Sequence, residues 1–307
     1  MAPQIRTMRP EDIDTVMELD RVTFEDLQAK LSGRPFHLPL REREFFEFWL
    51  STDPEGALVA EEDGRIIGLN INHARGASGW FGPLAVSPDA QSAGTGKALL
   101  RAGMDYLQRA GCALIGLDTY PNNPVAVSMY LKHGFEIVGS TVQLRLALPE
   151  GQNAPEPDGA LRVEDVTSDA LGAVAAMEER ASGFARGKDF RFLLDWDQAF
   201  GLQVPGREAL LGYLWGYRKR GKGVIGCVHV ADEDRFEEIA TPLLGSAFER
   251  FVGLGIDQAV VLSDGRQSRL LRLLFRLGFQ TQSTMVKLHQ GTVQPGTRHA
   301  PLASEKG

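Results

Sequence analysis

Residues 84–100 read LAVSPDAQSAGTGKALL. Leu84-Ala85-Val86 has the apolar character of a buried strand. From Gly94 onward the apolar spacing turns helical. Between them lies a loop without bulky side chains, holding Gln91, Ser92, Ala93, Gly94, Thr95 and Gly96. The first N–H groups of a helix have no partner inside it. Together with the positive end of the helix dipole they favour an anion. Small residues at 92, 93, 94 and 96 let a phosphate approach the backbone, and glycine reaches the positive φ of such a cradle. The pattern is neither a P-loop, since no Gly-Lys-Ser/Thr follows four spacers, nor the dinucleotide fingerprint.

Working outward, Ile5–Thr7 is expected as a short strand and Pro10-Glu11-Asp12 as a helix start, with Ile13, Val16, Met17 and Leu19 at helical spacing. Residues 24–40 read as irregular, and Leu40–Leu50 as a second helix with an aromatic face. Ala57–Glu62 and Arg65–Asn72 read as strands joined by the turn Asp63-Gly64. Trp80–Val86 is a strand, residues 94–110 a helix, Leu114–Asp118 a strand and Pro124–Lys132 a helix. Glu136–Leu148 holds the closing strands. The order is mixed α/β (α+β), with a mostly antiparallel central sheet flanked by helices, and not a doubly wound parallel sheet.

About forty residues on from Leu84 stands a second motif: Asn123, Ala126, Tyr130 and Gly134-Phe135, after a strand. The two motifs in this order resemble those of the GNAT acetyltransferase superfamily, over roughly residues 4–148. The resemblance implies a site for acetyl-CoA as co-substrate, with no metal. It implies that the backbone of Leu84, Ala85 and Val86 holds the pantetheine arm in a gap between two strands, and that the Val86 N–H is an oxyanion donor. Gln91, Ser92, Ala93, Gly94, Thr95, Gly96, Lys97 and Ala98 would cradle the pyrophosphate. Asn123 would bond the pantetheine, and Tyr130 would protonate the leaving thiolate. Ser92 departs from the glycine commonest there, but keeps its backbone N–H.

A shift of 144 residues aligns the two halves without a gap. Leu84-Ala85-Val86 falls on Val228-His229-Val230, Leu99-Leu100 on Leu243-Leu244, and Gly134-Phe135 on Gly278-Phe279. The loop does not survive: Gln91, Ser92, Ala93, Gly94 and Gly96 fall on Arg235, Phe236, Glu237, Glu238 and Ala240. Asn123 falls on Gln267 and Tyr130 on Leu274. Two carboxylates would stand where phosphates would lie, so the second half is expected to keep the fold and not bind acetyl-CoA. The expected domains are 1–148 (catalytic) and 161–291 (degenerate), with a Pro/Gly-rich linker at 149–160 and a polar tail at 292–307.

The chain has 307 residues and net charge -7, of which residues 1–150 carry -6. An acidic half disfavours nucleic acid and favours a cationic acceptor. No apolar run approaches the ~20 residues of a membrane span. The N-terminus lacks the apolar core of a secretory signal, and two cysteines in apolar stretches, Cys112 and Cys227, read as free thiols, so a cytoplasmic setting is expected. Histidines and cysteines show no metal-ligand spacing.

The implied reaction is direct transfer of acetyl to an amine of a small molecule or peptide, which must lose its proton first. Candidate bases are Glu25, His37 and His73, each also readable as a solvated surface group. A protein N-terminus or lysine is an alternative acceptor, and a non-catalytic acyl-CoA-binding module an alternative function. Oligomeric state is not legible.

Overall fold

The computed structural model describes residues 3–91, 93–148 and 161–291. The expected linker at 149–160, the tail at 292–307 and Ser92 lie outside the described residues.

The chain divides into two compact units. The first contains β1 (Gln4–Thr7), α1 (Ile13–Ser32), α2 (Arg43–Thr52), β2 (Ala57–Glu62), β3 (Arg65–Arg75), β4 (Ser78–Val86), α3 (Thr95–Arg109), β5 (Leu114–Thr119) and α4 (Pro124–Lys132). β6 (Glu136–Ala147) begins there and passes into the second unit at Gly139. The second unit adds β7 (Glu164–Asp165), α5 (Leu171–Ser182), α6 (Gly187–Asp195), β8 (Ala199–Pro205), β9 (Leu210–Lys219), β10 (Lys222–Val230), α7 (Phe236–Gly253), β11 (Gln258–Asp264) and α8 (Ser268–Arg276). The last strand, β12 (Gln280–Gly291), returns to the first unit from Val286 onward.

In the first unit β1, β2, β3 and β4 are successive antiparallel neighbours, and the β2–β3 turn carries positive φ at Asp63 and Gly64, as the twist of a two-residue hairpin requires. β4 and β5 are parallel. The sixth place is taken by β12, antiparallel to β5 with Leu288 opposite Leu117. In the second unit β7 to β10 repeat the antiparallel run, β11 is parallel to β10, and the sixth place belongs to β6, with Leu144 opposite Val261. Each unit is thus completed by the strand that follows the other unit's last helix. This differs from the expected blocks 1–148 and 161–291: Gly139–Ala147 serves the second unit and Val286–Gly291 the first.

The cores follow that division. Leu288 shares a cluster with Leu100, Leu107, Ile115, Leu117, Tyr130 and Phe135. Leu144 and Leu148 join Leu214, Leu243, Leu244 and Phe279. α3 lies close on the sheet because Gly103 is there: a Cβ at this position would fall 2.4 Å from both Asn70 Nδ2 and Asn72 Oδ1. Both buried amide nitrogens are satisfied, Asn70 donating to Leu99 O at 3.0 Å and Asn72 to Gly56 O at 2.8 Å.

Residues 24–32, expected to be irregular, continue α1, which ends where Gly33 turns to φ +68. The apolar rhythm is interrupted at Asp20 and Thr23, which are buried, Asp20 by pairing with the equally buried Arg41 at 3.0 Å. Among the described residues no helix is long and apolar enough to cross a membrane. Both cysteines are free and buried.

Candidate active site

β4 and β5 pair only at Ser78–Leu114, Gly79–Ile115 and Trp80–Gly116. Past that point β4 runs on to Val86 and β5 to Thr119 without pairing to each other. The cause is local to β4: Phe81 faces Asn72 and Leu84 faces Asn70, so two residues, Gly82 and Pro83, stand opposite Ile71. Such a bulge bends its strand and raises the local twist.

The bulge also fixes which backbone groups look into the gap. Ser87 N–H bonds Ile67 O at 2.9 Å. Gly68–Val86 is therefore a non-hydrogen-bonded pair, and so is Asn70–Leu84 two residues earlier. The N–H and C=O of Leu84 and Val86 point away from β3, toward the space β5 has left. Gln91 closes back on this edge, its side-chain amide donating to Val86 O at 3.1 Å.

α3 begins beside that edge. Its cap is Gly94, at φ +91, with no side chain bonding the helix end. The first closing bond runs from Ala98 N–H to Gly94 O, so the N–H groups of Thr95, Gly96 and Lys97 are left over. A Cβ on Gly96 would meet Val86 Cγ2 at 3.8 Å and Met129 Sδ at 3.7 Å, which ties β4, α3 and α4 together at this corner. A Cβ on Gly94 would meet nothing within 4 Å, so glycine is needed there for its dihedral alone. Thr95 is buried, and its hydroxyl has no partner among the described residues.

Asn123 caps α4, its Oδ1 accepting from Ala126 N–H at 3.2 Å. One turn from the helix end, Tyr130 is buried edge-on against Phe81 (6.2 Å between centroids) and Phe135 (5.8 Å). Phe81 is the last β4 residue before the bulge, so this ring stands near the apex of the gap. Its hydroxyl bonds no described residue, and burial pushes its pKa well above the usual phenol value. It stays a proton donor at neutral pH.

The three candidate bases separate. Glu25, on α1, pairs with Arg21 and lies 3.4 Å from Nδ1 of the exposed His37. The next turn of α1 brings Gln28 against the hydroxyl of Tyr120, which follows β5 directly, so this pair stands toward the open end of the gap. His73 is no surface group. It is fully buried, opposite Trp80, six residues down β4 from Val86 and on the order of 15–20 Å away at ~3.3 Å per residue. It belongs to a cluster around Asp53, whose carboxylate takes Arg75 (2.8 Å), Tyr106 (2.9 Å) and the Ala74 N–H (3.2 Å). Burial raises the Asp53 pKa, but His73 and the Arg75 charge outweigh it and hold the carboxyl well below its ordinary range. Sequence reasoning missed this cluster because its members are scattered over β3, α3 and the α2–β2 turn.

Residues 14–135 match the acetyltransferase (GNAT) family. This stretch is a GNAT domain. A protein of Acidimicrobium ferrooxidans named mycothiol acetyltransferase is 32% identical over 161 residues, 48% of this chain and 48% of that protein. The chain thus spans about half the length of this relative. Among solved structures, a Pyrococcus horikoshii protein superposes with a TM-score of 0.76 at 19% identity, covering 100% of this chain and 96% of that one. A tandem GNAT protein from the clavulanic acid biosynthesis pathway gives 0.65 at 16%, covering 95% and 99%. At such identities the likeness is one of fold. The second unit repeats the GNAT strand order, but α7 starts at Phe236, three residues ahead of the position that matches Thr95. A turn of helix replaces the loop. Phe236 enters the core, and Glu237 and Glu238 pair with Arg276 (2.6 Å) and Arg235 (2.5 Å).

Proposed function

We propose that the first unit transfers an acetyl group from acetyl-CoA to an amine by direct attack, and that the second unit does not bind acetyl-CoA. The observation that carries this is the open edge of β4, where Leu84 and Val86 present backbone groups to a gap beside the uncapped start of α3. The pyrophosphate lies on the N–H groups of Thr95, Gly96 and Lys97, the pantetheine along Leu84–Val86. The amine nitrogen attacks the thioester carbon, and the oxyanion takes the Val86 N–H. The C–S bond then breaks, and Tyr130 gives its proton to the departing sulfur. Glu25 with His37 is the route by which the ammonium loses its proton, and the carboxylate suits a cationic acceptor. Asn123 is the helix cap that sets the angle of α4 and with it Tyr130.

Because the relative from Acidimicrobium ferrooxidans is named a mycothiol acetyltransferase, we would assay mycothiol-like amines first, ahead of peptide N-termini and lysines. Two buried thiols fit a reducing cytoplasm. The test couples thiol release across an amine panel with calorimetric binding of coenzyme A. One equivalent per chain with amine-dependent release supports the reading. Binding without release for any amine would make this a cofactor-binding module, and two equivalents would refute the silent second unit.

A further inference from the structure

Tyr130 is held from both ends of its helix. Asn123 fastens the start of α4. The end is a turn, His133-Gly134-Phe135, that folds back on Tyr130 itself. The N–H groups of His133 and Phe135 both donate to Tyr130 O, at 3.0 and 3.2 Å. Gly134 makes the turn possible at φ +83. Phe135 then sets its ring against that of Tyr130, 5.8 Å between centroids. Any drift of the turn is therefore passed to the backbone and the ring of Tyr130.

Gln290, in β12, holds the turn in place. Its side-chain amide donates to His133 O at 3.0 Å. It lies on the same face of the strand as Leu288, two residues earlier, which packs in the cluster that contains Tyr130 and Phe135. The approach is close: a Cβ on Gly134 would fall 3.2 Å from Gln290 Nε2. A carbonyl can only accept, so Nε2 is the atom turned to it. Gln290 Oε1 is then buried with no partner among the described residues. A buried acceptor left unmet is unfavourable, so stability alone would put an apolar residue here.

The second unit does put one there. At the shift of 144 Gln290 matches Leu146. The register agrees: Gln290 stands opposite Ile115 and Leu146 opposite Ala259, residues that match at the same shift. The turn at the helix end is kept, with Phe279 N–H on Leu274 O at 3.0 Å and Gly278 at φ +92. A Cβ on Gly278 would meet Leu146 Cδ1 at 3.5 Å. The second unit has buried polar groups of its own. Glu178 takes the Tyr213 hydroxyl, Ser182 Oγ at 2.7 Å, Arg186 Nε at 3.1 Å and His229 Nε2 at 3.0 Å. Tyr213 and His229 lie on the other face of the sheet from Leu146. Where Tyr130 is matched by Leu274, the amide of Gln290 is matched by a leucine as well.

We propose that Gln290 is a positioning residue for the proton donor: by holding His133 O it fixes the turn that sets the Tyr130 ring, and so aims the hydroxyl at the departing sulfur. This rests on the reading of Tyr130 as the acid. Gln290 acts through Tyr130 and not on the substrate. A displacement of about 1 Å at a reacting group can cost on the order of 100-fold in rate, so loss of the amide should lower kcat at least about tenfold. KM for acetyl-CoA should stay within about twofold, because the cofactor is held by backbone groups of β4 and α3.

A double-mutant cycle in the intact chain tests this, read by steady-state thiol release from acetyl-CoA with the amine of the panel that turns over fastest, beside thermal unfolding. Gln290→Met keeps the length of the side chain and removes the amide. Gln290→Leu copies the second unit. Each is made alone and together with Tyr130→Phe. The expected result is a fall in kcat of at least about tenfold for either change alone, with KM and Tm held, and no further fall once the Tyr130 hydroxyl is gone. A kcat within about threefold of wild type, or an equal fall with and without the hydroxyl, would overturn the proposal and leave the acid reading intact. A lowered Tm together with a raised KM would make Gln290 a structural residue only and overturn it too. If Gln290→Leu does not unfold cooperatively, Gln290→Met decides. An undiminished kcat in Tyr130→Phe would refute the acid reading, and a panel without turnover the transferase reading; the proposal falls with either.

Discussion

Replacing Tyr130 with phenylalanine should separate stability from turnover, and the structure sets the size of both effects. The ring keeps its edge contacts with Phe81 and Phe135. The hydroxyl that disappears bonds no described residue, so no partner is orphaned. A buried hydroxyl without a partner costs about 1–3 kcal/mol. Relieving part of that cost should leave the free protein as stable as before or about 1 kcal/mol more so, a rise in Tm of about 2–4 °C. Turnover moves the other way. Loss of a positioned proton donor costs about 10²–10⁴-fold in kcat, or about 3–5 kcal/mol of barrier. Coenzyme A affinity should hold within about threefold, since cofactor binding rests on backbone groups. Burial raises the phenol pKa, so the wild-type acid keeps its proton and kcat should not fall from this group up to about pH 10. The assay is steady-state thiol release beside calorimetry and thermal unfolding. A kcat within threefold of wild type would refute the proton-donor role and leave Tyr130 a core aromatic.

Gly94→Ala places its Cβ more than 4 Å from any atom, so its cost of about 1–2 kcal/mol comes from φ +91 alone. It should weaken coenzyme A at least tenfold, and unchanged affinity would remove the helix start from the site. Leu288→Ala, in the last strand of the chain, should destabilise the first unit by about 2–5 kcal/mol and lower coenzyme A binding at raised temperature. Its measurement is thermal unfolding with and without coenzyme A. Burial raises the Glu178 pKa, but His229 and its other partners bring it down to about 2, from 4.5. A depressed carboxyl stabilises above its unfolded pKa, on the order of 3 kcal/mol here, and that contribution is lost as pH falls from about 4.5 toward 2. Urea unfolding between pH 7 and 3 should show this slope, and Glu178→Gln should flatten it.

The loop before α3 was legible because its signal is local: small residues, a strand before and a helix after. The bulge that opens the gap was not, since Gly82-Pro83 reads as an ordinary interruption until β3 is laid beside it. The true length of α1 was hidden by Asp20, which looks like a surface residue and is buried with Arg41 forty residues into the chain. His73 reads as a surface group for the same reason: Asp53, the carboxylate its cluster is built on, lies twenty residues earlier in the α2–β2 turn. Strand membership was beyond reach in principle. β6 and β12 occupy equivalent positions at the shift of 144, residues 136–147 and 280–291, so each suits either sheet by pattern.

That equivalence bears on how such a chain can change over time. A copy that has lost its chemistry is ordinarily free to decay or be deleted. Here the copy without the glycine-rich loop still supplies the strand beside β5, and with it Leu288 in the core that holds Tyr130. A fragment ending at residue 148 would keep every residue proposed to touch acetyl-CoA and lack the wall that holds them in place. The two halves are bound in mutual inheritance: selection on the site of one preserves the fold of both.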